Sequence, residues 1–227
     1  MTKKKQLVAF GCSHTFGHSL PDAHPPVTNQ PSKFAWPQLL ADELNMKCIN
    51  KGKPGASTKT VLFNVVNYEN YKSDSEVIIL WPNADRNSIL HKNKHGHLWS
   101  HDFLPGIIGM KFPQSYYDNL GMTFKEHQAF LKFYYERIHN DYDASFDMAT
   151  RISYVDNYLR RKHIIPIHLV ADHFSILTDF KNMLPPMKVK EINWEKDFRI
   201  DLALDNQHPG IDSNKLLAKN IKKWFFK

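Results

Sequence analysis

Short apolar runs, separated by polar turns that carry glycine, set the rhythm of this chain. Gln6-Leu7-Val8-Ala9-Phe10, Met46-Lys47-Cys48-Ile49-Asn50, Glu76-Val77-Ile78-Ile79-Leu80 and Ile164-Ile165-Pro166-Ile167-His168-Leu169-Val170 read as short buried strands. Between them the apolar period lengthens. Phe34 to Leu44, Thr60 to Tyr68, Phe146 to Lys162 and Ser213 to Trp224 carry apolar positions at helical spacing, and in the last of these Leu216, Leu217, Ile221 and Trp224 share one face. Pro37 lies early in the first helix, where its missing N–H is tolerated. Thr123 to His139 also reads as a helix. Its Phe124, Phe130, Phe133, Tyr134 and Tyr135 are expected to pack into a core rather than to form a membrane or partner face. Strands alternating with amphipathic helices predict an α/β protein, a parallel sheet with helices on both sides.

Three of the strands run into loops with chemical content. The first breaks at Gly11 into Cys12-Ser13-His14-Thr15-Phe16-Gly17. The second runs into Lys51-Gly52-Lys53-Pro54-Gly55-Ala56-Ser57-Thr58, a glycine turn before a helix, and the third into Trp81-Pro82-Asn83-Ala84-Asp85-Arg86. In an open parallel sheet, ligands bind where strands deliver their carboxyl ends. Near the other terminus stands Asp205-Asn206-Gln207-His208-Pro209. A serine hydroxyl becomes a useful nucleophile when an imidazole takes its proton, and a carboxylate then fixes the imidazole tautomer. Ser13, His208 and Asp205 are of the types those three roles need. The alternative is that Ser13 and Thr15 only cap the following helix.

These segments resemble the four spaced blocks of the SGNH hydrolases, also called GDSL esterases and lipases. The nucleophile block, usually Gly-Asp-Ser, is matched by Gly11-Cys12-Ser13. The glycine block is matched by Asn50-x-Gly52-x-x-Gly55-Ala56-Ser57, the asparagine block by Asn83, and the last block by Asp205 to Pro209. The resemblance implies a single domain over residues 1–227, a three-layer α/β/α sandwich of flavodoxin-like SGNH type. It implies Ser13 as nucleophile, His208 as general base and Asp205 as its orienting partner. It also implies an oxyanion hole made of the backbone N–H of Ser13, the backbone N–H of Gly55 and the side-chain amide of Asn83. The sequence departs from the family pattern at Cys12, where aspartate is usual, and at Trp81-Pro82-Asn83, where Gly-x-Asn is usual. Cys12 is itself a candidate nucleophile, but neighbours in a turn point apart, and Ser13 is preferred.

The stretch from about 87 to 147 has no counterpart in the blocks and reads as an inserted lid or specificity region. Its aromatic side chains suit sugar rings or acyl groups, so Trp99 and Tyr116, with Trp81 outside the insertion, are candidate substrate-binding residues. His91, His95, His97 and His101 also fall here. Imidazoles at such spacing can ligate zinc, but the His-x-His lies on a glycine-bearing loop, and neither a metal nor a cofactor is expected.

Composition narrows the partners. The chain has 227 residues, 42% of them hydrophobic and 23% charged, as in ordinary globular proteins. No apolar run is long enough to span a membrane. The basic start is followed by an apolar run too short for a signal-peptide core, so the expected setting is cytoplasmic. The net charge of +7 is dispersed and carries no nucleic-acid motif, so no specific nucleic acid is expected. Cys12 and Cys48 read as two buried thiols rather than a disulfide. The expected activity is cleavage of an ester, with a small acyl group such as acetyl on a carbohydrate ranked first and a lipase or thioesterase second. A non-catalytic module on the same fold is the alternative from another class. A nucleotide-binding protein is disfavoured, because the first turn lacks both Gly-x-Gly-x-x-Gly and the Lys-Ser/Thr of a phosphate loop. The sequence leaves the oligomeric state open.

Overall fold

The computed structural model describes residues 4–23, 30–92, 98–171 and 179–226. The chain runs through β1 (Gln6–Gly11), the single turn α1 (Ser13–Phe16), α2 (Trp36–Glu43), β2 (Lys47–Gly52), α3 (Thr58–Val66) and β3 (Glu76–Trp81). It continues through β4 (Asn87–Lys92), β5 (Leu98–Phe103), α4 (Gln114–Leu120), α5 (Phe124–Phe133) and α6 (Asp141–Arg160). It ends with β6 (Ile167–Ala171), β7 (Lys188–Ile192) and α7 (Ile211–Phe225). Five strands form one sheet in the order β2-β1-β3-β6-β7, and every pairing in it is parallel. Strands β4 and β5 form a separate antiparallel hairpin.

Alternation along each strand sends side chains to opposite faces, and both faces are covered. Val8, Phe10, Val77, Ile79, Trp81 and Val170 pack with Val61 and Val65 of α3 and with Met148, Ile152, Val155 and Leu159 of α6. Leu7, Ala9, Ile78, Leu80, Ile167 and Leu169 pack with Trp36 and Leu40 of α2 and with Leu217 and Ile221 of α7. The result is the expected three-layer α/β/α sandwich.

Differences from the expected elements have local causes. Strand β6 starts at Ile167 rather than Ile164, because Pro166 offers no N–H to the ladder and Ile165 points to solvent. Strand β7, Lys188-Val189-Lys190-Glu191-Ile192, escapes the apolar pattern altogether. It is an edge strand, and its charges guard that edge. Helix α6 begins at Asp141, five residues ahead of Phe146, because Asn140 caps it by accepting the Asp143 N–H at 3.0 Å.

Within 87–147 lies a satellite core of Phe103, Ile107 and Leu131, with Phe112, Phe130, Tyr134 and Tyr135 against it. Helix α5 starts at a capping box between Thr123 and Glu126 and continues into a π-helical turn over Tyr134–Ile138. Its buried positions are His127 and Leu131, whereas Phe124 and Phe133 are exposed, so only part of the expected aromatic face is core. Among the described residues no helix is long and apolar enough to cross a membrane. Cys12 and Cys48 are free thiols. Desolvation pushes Cys48 up to about 12.

Trp81 is placed differently from its expected role at the substrate. Its side chain is fully buried in the layer under α3 and α6, because its place in the alternation of β3 turns it to that face. Its Nε1–H donates to Nδ1 of the buried His168 at 3.0 Å, which leaves the His168 proton on Nε2, 3.4 Å from Oδ1 of the buried Asp156. Trp81→Phe is therefore expected to strand the His168 Nδ1 acceptor and to destabilise the fold by about 1–3 kcal/mol, measured by urea unfolding. A Trp81→Phe protein of unchanged stability refutes this placement.

Candidate active site

Counting only the parallel strands, the sheet order is 2-1-3-4-5, whose switch point lies between β1 and β3. Because β1 has β2 on one side and β3 on the other, the loops bearing Ser13, Gly55 and Asn83 leave three adjacent strands at the same edge.

At the end of β1 the chain closes into the single turn α1. Ser13 is its first residue, and Gly17, at φ 77°, ends it by returning its N–H to the Ser13 carbonyl at 2.9 Å. Cys12 caps the turn and is buried among the core side chains under α3 and α6, so its thiol does not face the loops at this edge. Strand β2 presses directly on the turn. A Cβ at Gly52 would lie 2.4 Å from the Phe16 nitrogen, so only glycine fits. Asn50 fixes the same contact. Its Nδ2 donates to the Thr15 carbonyl at 2.6 Å, and its Oδ1 accepts the Gly52 N–H at 2.9 Å.

The following loop holds Gly55 at φ 76°, a left-handed conformation natural to glycine, with open space on its Cα. Hairpin β4–β5 anchors this loop through Asp102. The carboxylate accepts the Ser57 N–H at 2.9 Å, pairs with Lys53 Nζ at 3.0 Å and takes the Thr60 hydroxyl. No sequence signal links Asp102 to a loop 45 residues earlier. Asn83, just past β3, is half-buried and lines a cavity of about 230 Å³ with His14, Arg86, Ala171, Ile192, Asn193, Trp194 and Glu195.

The loop bearing His208 is set by two anchors. Asp201 binds the start of α7 through the Ser213 N–H (2.8 Å), the Asp212 N–H (3.0 Å) and the Ser213 hydroxyl (2.6 Å). The Leu204 N–H reaches the Ser19 carbonyl at 3.0 Å, which ties the loop to the segment just after α1. Inside the loop, Asp205 Oδ1 accepts the N–H groups of Gln207 and His208, each at 3.0 Å. Asp205 Oδ2 lies 2.6 Å from His208 Nδ1. Desolvation pushes the Asp205 carboxyl up. The bonds from the His208 and Gln207 N–H groups, the His208 ring and Ser19 outweigh it and hold the group well below the usual carboxylate range.

The His208 ring lies 5.7 Å from the His14 ring and 5.0 Å from the His18 ring, centroid to centroid, beside the turn that carries Ser13. Ser13 is buried and makes no hydrogen bond to His208 among the described residues. Serine–imidazole bonds of this kind often tighten only once substrate is present. Sequence reasoning missed His14, Arg86 and Trp194, which only the folded loops bring together. Of the aromatic candidates, Tyr116 packs with His101, Phe112, Tyr117 and His127 in the insertion, and is not among the residues lining the cavity. The Trp99 side chain lies outside the described residues, as do His95 and His97. Among the described residues no group of three or more potential metal ligands occurs.

Neither a protein-family model nor a curated protein matches this chain. Solved structures do. A carbohydrate esterase, whose active site is described as having divergent catalytic and non-catalytic binding functions, aligns with 98% of this chain and 65% of its own, at 11% identity and TM-score 0.56. TesA aligns with 98% of both chains at 9% identity and TM-score 0.54. The acetyl xylan esterase Est2A of the rumen bacterium Butyrivibrio proteoclasticus aligns over 99% of this chain and 66% of its own, at 13% identity and TM-score 0.53. The chain thus spans just under two thirds of the length of the two carbohydrate-active enzymes. The architecture is the SGNH hydrolase fold.

His14 gives the site a pH signature. Desolvation, then the charges of His208, Arg86 and Arg199, lower it to about 3. An unfolded histidine titrates near 6.5. Between those values the unfolded chain takes up a proton that the native state refuses, so stability falls as pH drops from about 6.5 toward about 3. The buried His168, lowered chiefly by desolvation, acts in the same direction. Urea unfolding between pH 6.5 and pH 4 should show this slope, and His14→Gln should flatten it in part. An unchanged slope in His14→Gln refutes the assignment.

Proposed function

We propose that the protein is a serine esterase of SGNH type. The observation that carries this reading is the Asp205–His208 pair, held at 2.6 Å and packed beside the turn that presents Ser13. Asp205 keeps the His208 proton on Nδ1 and leaves Nε2 as the base. Ser13 Oγ attacks the ester carbonyl while His208 takes its proton. The carbonyl oxygen becomes an oxyanion, received by the N–H of Ser13, the N–H of Gly55 and the Asn83 amide. Collapse expels the alcohol, which receives the proton from His208. Water, activated by the same imidazole, then releases the acid from acyl-Ser13.

Within this reading the substrate is a small acyl group, such as acetyl, on a carbohydrate. Support comes from the carbohydrate-active enzymes among the similar structures. Residues 87–147 act as a specificity insertion in a single domain, anchored beside Gly55 by Asp102. A second reading, a lipase or thioesterase, draws on Ile200, Leu202 and Leu204, which are 64%, 46% and 58% exposed on the loop leading to His208. Long acyl chains would find apolar surface there. A series of nitrophenyl esters separates the two, with kcat/KM falling with chain length under the first reading and rising under the second.

Fluorophosphonate labelling should occur and vanish in Ser13→Ala. Ester hydrolysis should fall by about 10⁶ in Ser13→Ala or His208→Ala, and by about 10²–10³ in Asn83→Ala. A folded protein that neither labels nor hydrolyses any ester is a binding module on this fold, and the proposal fails.

A further inference from the structure

The turn that carries Asn83 also carries a cation. Arg86 donates its N–H to the Asn83 carbonyl at 3.2 Å. That turn places Arg86 on the wall of the same cavity, three residues from the amide assigned to the carbonyl oxygen. Three other arginines are matched along their own helical turns, Arg151 with Asp147, Arg160 with Asp156 and Arg199 with Glu195, while Arg137 and Arg161, in no ion pair among the described residues, are exposed to solvent where Arg86 is half-buried. Arg86 has no carboxylate within ion-pair distance among the described residues. Among the described residues the one carboxylate lining the cavity, Glu195, is held by Arg199 at 2.5 and 2.6 Å. His14, on the same wall, is neutral at physiological pH.

A half-buried arginine beside a cavity, with no carboxylate partner among the described residues, is suited to receive an anion, because desolvation is offset only when a counter-charge arrives. Its planar fork matches carboxylate and phosphate oxygens. The surplus of positive charge, +7 over the chain, draws anionic molecules toward the protein. We propose that Arg86 is a substrate-binding residue, and that the cavity between Asn83, Arg86 and Trp194 takes an anionic substituent, a carboxylate or phosphate, carried by the ester. This inference rests on the esterase reading and narrows its substrate to esters bearing a negative charge near the reacting carbonyl.

Two pairs of esters locate the charge. 4-Nitrophenyl hemisuccinate against 4-nitrophenyl butyrate tests an anion on the acyl side, and 4-acetoxybenzoate against phenyl acetate tests one on the alcohol side. In at least one pair, kcat/KM for the charged ester should exceed that for the neutral one by about tenfold or more. Arg86→Gln should reduce that ratio by about tenfold, mainly through KM, with Arg86→Lys in between. Calorimetric binding of succinate or inorganic phosphate should weaken by a similar factor in Arg86→Gln. Added salt should weaken it too.

If Ser13 labels with fluorophosphonate but the ratios and anion binding are indifferent to Arg86→Gln, the anion site is overturned and the esterase stands. If nothing labels and no ester is cleaved, the esterase reading falls, and with it the role of Arg86 toward substrate. The two failures are thereby told apart.

Discussion

The site depends on a backbone contact that leaves no room for a side chain. Strand β2 meets the turn α1 at Gly52, where even a methyl group would collide with the Phe16 nitrogen. Asn50 then spends both ends of its amide on that contact. This contact fixes where Ser13 stands relative to the loop bearing Gly55. Hydrogen-bond donors aimed at a developing oxyanion are effective only when preorganised within fractions of an ångström. Gly52 and Asn50 therefore precede any residue that touches a substrate in the chain of cause. The order β2-β1-β3 follows the same logic at larger scale, since it sets the three loops side by side before any side chain acts.

The Asp205–His208 pair shows why part of this site was legible in the sequence. Its members are three residues apart. The carboxylate takes the Gln207 and His208 N–H groups as well as the ring, so the geometry is built from local bonds that a short segment can encode. The buried strands were legible for a similar reason, since an apolar run reports its own burial. Long-range contacts leave no such trace. Asp102 reaches back to Ser57, His14 meets Trp194, and Leu204 binds Ser19, each pair joined only by the fold. Strand β7 was hidden by the charges that protect an edge, and the β4–β5 hairpin by its mixture of polar and aromatic residues.

Trp81 illustrates how one position can mislead. In sequence it precedes the candidate oxyanion residue and offers a large flat ring, so a role at the substrate is natural. In the fold it is the last residue of β3, and strand alternation sends it to the face opposite Leu80. There its indole supports a buried chain through His168 to Asp156, and Arg160 pairs with the far oxygen of that carboxylate at 2.5 Å. A buried carboxylate is tolerable only when so accompanied. The bulk that stands where the SGNH pattern has a small residue thus serves the floor beneath the loop, and the loop itself is left to Asn83 and Arg86.

The charges around the site divide by their partners. Asp205 takes four hydrogen bonds and stays ionised, so in the proposed mechanism it would stabilise an imidazolium on His208. His14, crowded by burial and by the charges of His208, Arg86 and Arg199, stays neutral and cannot displace His208 as a second cation beside Asp205. Glu195 is neutralised by Arg199. Among the described residues what remains on the cavity wall is Arg86, and under the proposal above the electrostatics of the site would discriminate among esters by charge before shape is considered. An oxyanion forming at Asn83 would sit near that cation, and a substrate anion bound to Arg86 would partly cancel its help. Under that proposal, binding a charged substrate and stabilising the transition state would draw on the same arginine, and Arg86 could favour the second only as far as the first leaves it uncompensated.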